Sequence, residues 1–152
     1  MKILILGAGG VGGYFGGRLI QAGTDVCFLV RPGRAAQLAA DGLRVESPHG
    51  HFQVAARAVT ADQLHGEWDL IVLSPKAYDL DDAIETLRPA MGGRACLLPL
   101  LNGMAHMDRL DAAFGAHRVL GGVAHIAATL SREGVVRQLN PLHILTVGHR
   151  EA

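Results

Sequence analysis

The chain has 152 residues, 49% of them apolar and 18% charged, which excludes a disordered chain and suffices for one domain with a sizeable core. Fourteen basic residues balance 14 acidic ones, so the basic excess of a nucleic-acid or anionic-membrane binder is missing. Twelve of those 14 basic residues are arginine, which suits fixed phosphate recognition better than lysine does.

Lys2 to Leu6 reads as a short buried strand ending at a glycine. Gly10 to Ala22 reads as a helix, with Val11, Phe15, Leu19 and Ala22 on one face and Gly23 as its stop. Asp25 to Val30 is a second apolar strand, and Arg34 to Asp41 a short Ala-rich helix. Leu43–Ser47 and Phe52–Ala56 suggest a hairpin around Pro48-His49-Gly50. Asp69 to Ser74 is another buried strand. A helix follows from Asp79, its N-terminal cap, to about Arg88. Ala95 to Leu100 is a further strand. Asn102 to Phe114 reads as a helix with Met104, Met107, Leu110 and Phe114 inward. The tail holds strand candidates at Val119–Ala128, Val135–Leu139 and Ile144–Val147.

This alternation predicts an α/β domain spanning residues 1–152, doubly wound, with a mainly parallel sheet and extra edge strands at its C-terminal end. No apolar stretch approaches the ~18 residues of a membrane-spanning helix, and no signal peptide is visible. Cys27 and Cys96 fit neither a metal motif nor a disulfide framework, which suggests a reducing, cytoplasmic setting.

Glycine is the compositional anomaly: 20 residues, seven of them between Gly7 and Gly17. Gly7-Ala8-Gly9-Gly10-Val11-Gly12 matches G-x-G-x-x-G between a strand and a helix. In a Rossmann-type fold the first glycine allows the turn, the second the approach of a pyrophosphate, and the third close helix packing. Free N–H groups at the helix start then face the anion. An NAD site carries Asp or Glu about 20 residues on, at the end of the second strand. Here Arg31 holds that place, 19 residues after Gly12, and no carboxylate occurs between Val26 and Ala40. Arg31, with help from Arg34, suits a 2′-phosphate, so the expected cofactor is NADP(H).

The runs KILILGAGGVGGYFGGRL, FLVRPGR, SPKAYD, LLNGM and GGVAHIAA, in that order, resemble ketopantoate reductases (2-dehydropantoate 2-reductases), specifically their N-terminal NADPH-binding domain. The resemblance implies that Gly7, Ala8, Gly9, Gly10, Val11 and Gly12 hold the pyrophosphate and Arg31 the 2′-phosphate. It implies that Lys76 faces the cofactor, that Asn102 lies beside the nicotinamide ribose and the substrate, and that Ala127 presents its backbone to the cofactor. Pro75 departs from the aliphatic residue or Thr of many relatives. The family's second, helical domain supplies its general-acid lysine, which on this resemblance lies beyond Ala152; no catalytic residue is assigned within this chain.

Among the eight histidines only His49 and His51 form a close pair, with no cysteine or carboxylate cluster nearby, so no metal site is expected. His125 lies in the GGVAHIAA segment as a packing or supporting residue. Ser74 has no base at a recognisable spacing. The expected activity is NADPH-dependent reduction of a small 2-keto acid, ketopantoate to pantoate, on the way to pantothenate and coenzyme A. The alternative is a stand-alone NADP(H)-binding or sensing module without turnover. A homo-oligomer formed through the C-terminal third is expected, with no nucleic-acid or membrane partner.

Overall fold

Unbroken apolar runs build the centre of the molecule. In the computed structural model, which describes residues 1–74 and 79–150, β1 (Lys2–Leu6) and β2 (Asp25–Leu29) pair in parallel. β6 (Leu70–Leu73) and β7 (Cys96–Pro99) continue the sheet on one side. A three-residue strand, β5 (Arg57–Val59), closes the other side and was not expected from the sequence. The order β5-β2-β1-β6-β7 is parallel throughout. Val119 then pairs in parallel with Leu97, so the chain runs beside β7 before leaving the sheet.

Strand periodicity sends alternate residues to opposite faces. Leu4 and Leu6 face a core shared with α3 (Leu80–Leu87) and α4 (Ala105–Phe114), which contribute Ile84, Leu87, Met107 and Leu110. Ile3 and Ile5 face a second core with α1 (Gly10–Gln21) and α2 (Pro32–Asp41). Burial on both faces is why these strands read as continuous rather than alternating hydrophobic runs. Asp79 caps α3 as expected, accepting a 2.9 Å bond from the Asp82 N–H.

Helix α4 starts three residues later than expected. Gly103 has φ +77°, which a right-handed helix does not admit. Met104 therefore lies before the helix and is exposed, while Met107 and Leu110 are buried.

Val11, Phe15 and Leu19 of α1 pack against the second core as expected, but the most deeply buried positions of the helix are others. Its buried residues are Gly12, Gly13, Tyr14, Gly16 and Gly17, whereas Ala22 is exposed and Val11, Phe15 and Leu19 are half-buried. A Cβ on Gly16 would stand 2.5 Å from the Phe28 ring, beneath the first sheet. One on Gly13 would stand 2.8 Å from Val136, on the other side. Glycine lets the helix lie close to layers on two sides.

That other side is a second, four-stranded sheet. Its hairpin, β3 (Leu43–Glu46) and β4 (Phe52–Val54), was expected. Its other two strands are β8 (Gly121–Leu130) and β9 (Val135–Gly148), with β9 parallel to β3. The tail thus joins the hairpin over α1, and its last two strand candidates form one strand. The expected break falls at Asn140-Pro141, where the β8–β9 register shifts between Ile126 and Ala128. Such a bulge tolerates proline, which has no N–H for a ladder.

Candidate functional site

A cavity of about 520 Å³ opens at the carboxyl ends of β1, β2, β6 and β7, where open parallel sheets bind ligands. Its floor is the turn from Gly7 to Gly12. Gly7 has φ +97° and its N–H donates to the Leu29 carbonyl at 3.0 Å. A Cβ on Gly12 would stand 2.3 Å from the Gly7 oxygen and 2.8 Å from Ser74 Oγ. Ser74 is buried, and its hydroxyl donates to the Leu6 carbonyl at 2.6 Å, tying β6 to the end of β1.

Gly9 has a different status. Its φ of −89° demands no glycine, and a Cβ built there meets nothing within 4 Å. Neither local backbone nor packing explains the missing side chain; open space toward the cavity does. Gly9 is also the N-cap of α1, with no side-chain cap and no acid in the first turn. The first N–H groups of a helix lack intrahelical partners, and the dipole there favours an anion.

Arg31 and Arg34 stand at the cavity edge where β2 passes into α2. Arg31 is exposed, and its charge reaches Asp79 and Asp82 at the start of α3. The Asp79 carboxyl is held below its ordinary range first by the Asp82 N–H, and more weakly by Arg109 and Arg31. Arg34 instead turns its guanidinium onto Ala8, at 2.7 and 3.1 Å from that carbonyl oxygen.

Leu100 and Asn102 form the wall at the end of β7. The opposite wall is β8, through Ala124, Ile126 and residues 128–130. Composition and periodicity do not mark these side chains; only the GGVAHIAA run of the family resemblance pointed to this segment, which belongs to the second sheet. Ala127 falls at the register shift and is not a lining residue, though both its neighbours are. His125 is exposed, and strand alternation turns it away from Ala124 and Ile126. Pro75 and Lys76 lie outside the described residues. The structure therefore brings Gly7 to Gly12, Arg31 and Asn102 around one cavity. Among the described residues that line it, the ionisable ones are Arg31 and Arg34.

His49 and His51 serve the hairpin instead: the His49 ring stacks on His143 with centroids 4.0 Å apart, and His51 Nδ1 accepts from the Ser47 N–H. Both cysteines are free; burial pushes the Cys27 thiol up. No helix among the described residues is long and apolar enough to cross a membrane.

Comparison with known proteins agrees with this geometry. The family model described as ketopantoate reductase PanE/ApbA matches residues 3–152. The uncharacterized oxidoreductase YkpB of Bacillus subtilis (strain 168) is 39% identical over 97% of this chain and 48% of its own length. The crystal structure of 2-dehydropantoate 2-reductase from Geobacter metallireducens GS-15 superposes with a TM-score of 0.87 at 30% identity, covering 100% of this chain and 51% of that one. D-mandelate dehydrogenase, solved with NADH and anilino(oxo)acetate, gives 0.85 at 25% identity over 97% of this chain and 47% of that one. The chain spans about half the length of the curated relatives it matches. Glycine turn, cavity and sheet order thus have a common explanation: the chain belongs to the ketopantoate reductase family, PanE/ApbA.

Proposed function

We propose that this chain is the NADP(H)-binding domain of a cytoplasmic reductase of small 2-keto acids, with 2-dehydropantoate as the substrate and pantoate as the product. The observation that carries the reading is Gly9: an uncapped helix start beside open space, with no internal reason for glycine. A pyrophosphate fits that place, because backbone N–H groups and the helix dipole both favour it. In this reading Gly7 to Gly12 hold the pyrophosphate and Arg31 takes the 2′-phosphate. Asn102 donates and accepts beside the nicotinamide ribose and the keto acid. The backbone around Ala127 lines the cofactor, and the family resemblance assigns Lys76 to it as well.

The bound cofactor would supply the hydride for the ketone carbon. The developing alkoxide then needs a cation and a proton donor. Lys76 is the cation this chain offers, and a second, helical domain of the full-length protein contributes the general acid. A homo-oligomer belongs to the same proposal, through β8 and β9, where Leu139, Ile144 and Val147 are exposed. Light scattering that finds only the 16.0 kDa monomer across a wide concentration range removes that part.

The alternative is an NADP(H)-binding module without turnover. It draws support from the described cavity wall, whose ionisable groups are two arginines, neither suited to giving up a proton. Both readings share the binding test. Isothermal titration should show NADPH binding more tightly than NADH, and Arg31→Ala should abolish that preference. Equal affinities in the unaltered chain, or a preference that survives Arg31→Ala, overturn the cofactor assignment.

A further inference from the structure

Arg31 and Arg34 are three residues apart, and the sequence assigns the 2′-phosphate to Arg31 with Arg34 as a helper. The structure separates them. Arg34 Nε and Nη2 both donate to the Ala8 carbonyl, at 3.1 and 2.7 Å. Its Nη1 donates to the Gly134 carbonyl at 3.1 Å and to Gln37 Oε1 at 3.0 Å. One guanidinium thus joins the glycine turn, helix α2 and the turn between β8 and β9.

Each attachment bears on the cavity. Ala8 lies inside the glycine turn and is buried. Its carbonyl, held by two N–H groups of one cation, is kept from turning its negative end toward an incoming anion. Gly134 has φ +83°, and a Cβ there would stand 2.7 Å from the Gln37 side chain, so this turn is pressed against α2. The same turn ends β8, whose residues 128–130 form the far wall. A Cβ on Gly10 would stand 2.5 Å from the Ala128 oxygen, so the two walls already touch at one point. Arg34 fastens them at a second.

We propose that Arg34 is a positioning residue for the dinucleotide site. It fixes the orientation of the Ala8 carbonyl and the separation of the glycine turn from β8, and so sets affinity for the part common to NADPH and NADH. Discrimination between them stays with Arg31. The inference rests on the cofactor reading above. Lysine cannot substitute, because an ammonium is a point donor without the planar fork that spans both carbonyls.

Two measurements on the full chain test this. In isothermal titrations, Arg34→Ala and Arg34→Lys should each weaken NADPH and NADH by about tenfold or more, the scale of lost charge-assisted hydrogen bonds. The ratio of the two affinities should stay within about twofold of the unaltered chain. A loss confined to NADPH and rescued by Arg34→Lys would make Arg34 a phosphate ligand and overturn the proposal. The second measurement needs no cofactor. Amide hydrogen exchange in residues 7–12 and 129–135 should accelerate in Arg34→Lys, with β1 and β6 unchanged. Unchanged exchange in those segments overturns the positioning role whichever cofactor binds. Failure of the unaltered chain to bind either cofactor, with faster exchange in the variant, would defeat the cofactor reading and with it the dinucleotide role, while leaving the fastening of the two turns.

Discussion

The hydroxyl of Tyr14 and Nδ1 of His143 lie 2.5 Å apart, joining the middle of α1 to β9 across 129 residues of sequence. Arg18 Nε donates to the same hydroxyl at 3.2 Å. Tyr14 is fully buried, so its hydroxyl needs these partners. Tyr14→Phe should destabilise the chain by about 1 kcal/mol, the usual net value of such a bond. Urea denaturation would measure it; an unchanged midpoint would mean that the bond contributes nothing net.

Two histidines should make the fold acid-sensitive. Burial lowers the pKa of His106. Desolvation, then the charges of His49 and Arg18, lowers that of His143. A group whose folded pKa is depressed binds more protons unfolded, so stability is full above the ordinary imidazole value of about 6.5 and falls as pH drops below it. The melting temperature should be level from about pH 8 to 7 and decline below about 6.5. Replacing both histidines, as His106→Gln with His143→Phe, should flatten that decline.

Two glycines of one motif should respond in opposite ways. Gly12→Ala drives a Cβ against the Gly7 oxygen and Ser74, a clash with backbone that should cost about 1–3 kcal/mol or more. Gly9→Ala meets no protein atom within 4 Å. It should melt like the unaltered chain yet bind NADPH at least about tenfold more weakly, since a methyl group near the pyrophosphate blocks the approach that glycine allows. Normal binding by Gly9→Ala would remove the observation on which the proposed function rests.

Turnover by this chain should be negligible. With NADPH and 2-dehydropantoate, loss of NADPH absorbance should fall far below the ordinary enzymatic range of about 1–10³ s⁻¹. Besides two arginines and Asn102, the described wall offers only the hydroxyls of Ser74 and Thr129, which are not groups tuned near the working pH as a general acid is. A rate within that range would place a proton donor in this chain.

The parallel sheet was legible because β1, β2, β6 and β7 are unbroken apolar runs, and burial on both faces leaves that signature. The glycine turn was legible because its spacing follows from the ligand it accommodates. Less visible was the role of Gly13, Gly16 and Gly17, which are buried without any hydrophobic side chain. Glycines add nothing to a hydrophobic period, so the stripe of Val11, Phe15 and Leu19, which does pack against the core, was visible and the buried glycines beside it were not. The pairing of β9 with β3 joins segments about ninety residues apart. No local pattern announces that choice, and the β8 wall was signalled only through the family resemblance of GGVAHIAA. Arg34 was placed in the right neighbourhood, but its bonds to Ala8, Gln37 and Gly134 were not visible, because sequence spacing shows proximity and not the direction of a guanidinium.

Helix α1 lies between two sheets, and Gly13 and Gly16 bring its backbone directly against Val136 on one side and Phe28 on the other. Close-packed protein interiors transmit volume changes rather than absorb them. Enlarging Val136 on one side should therefore be felt at Phe28 on the other, through a rigid rod whose end is the proposed anion site. Substitutions in the two sheets that look remote in sequence should then be energetically non-additive. Drift in this region would have to proceed by paired compensation, one layer answering the other across the helix.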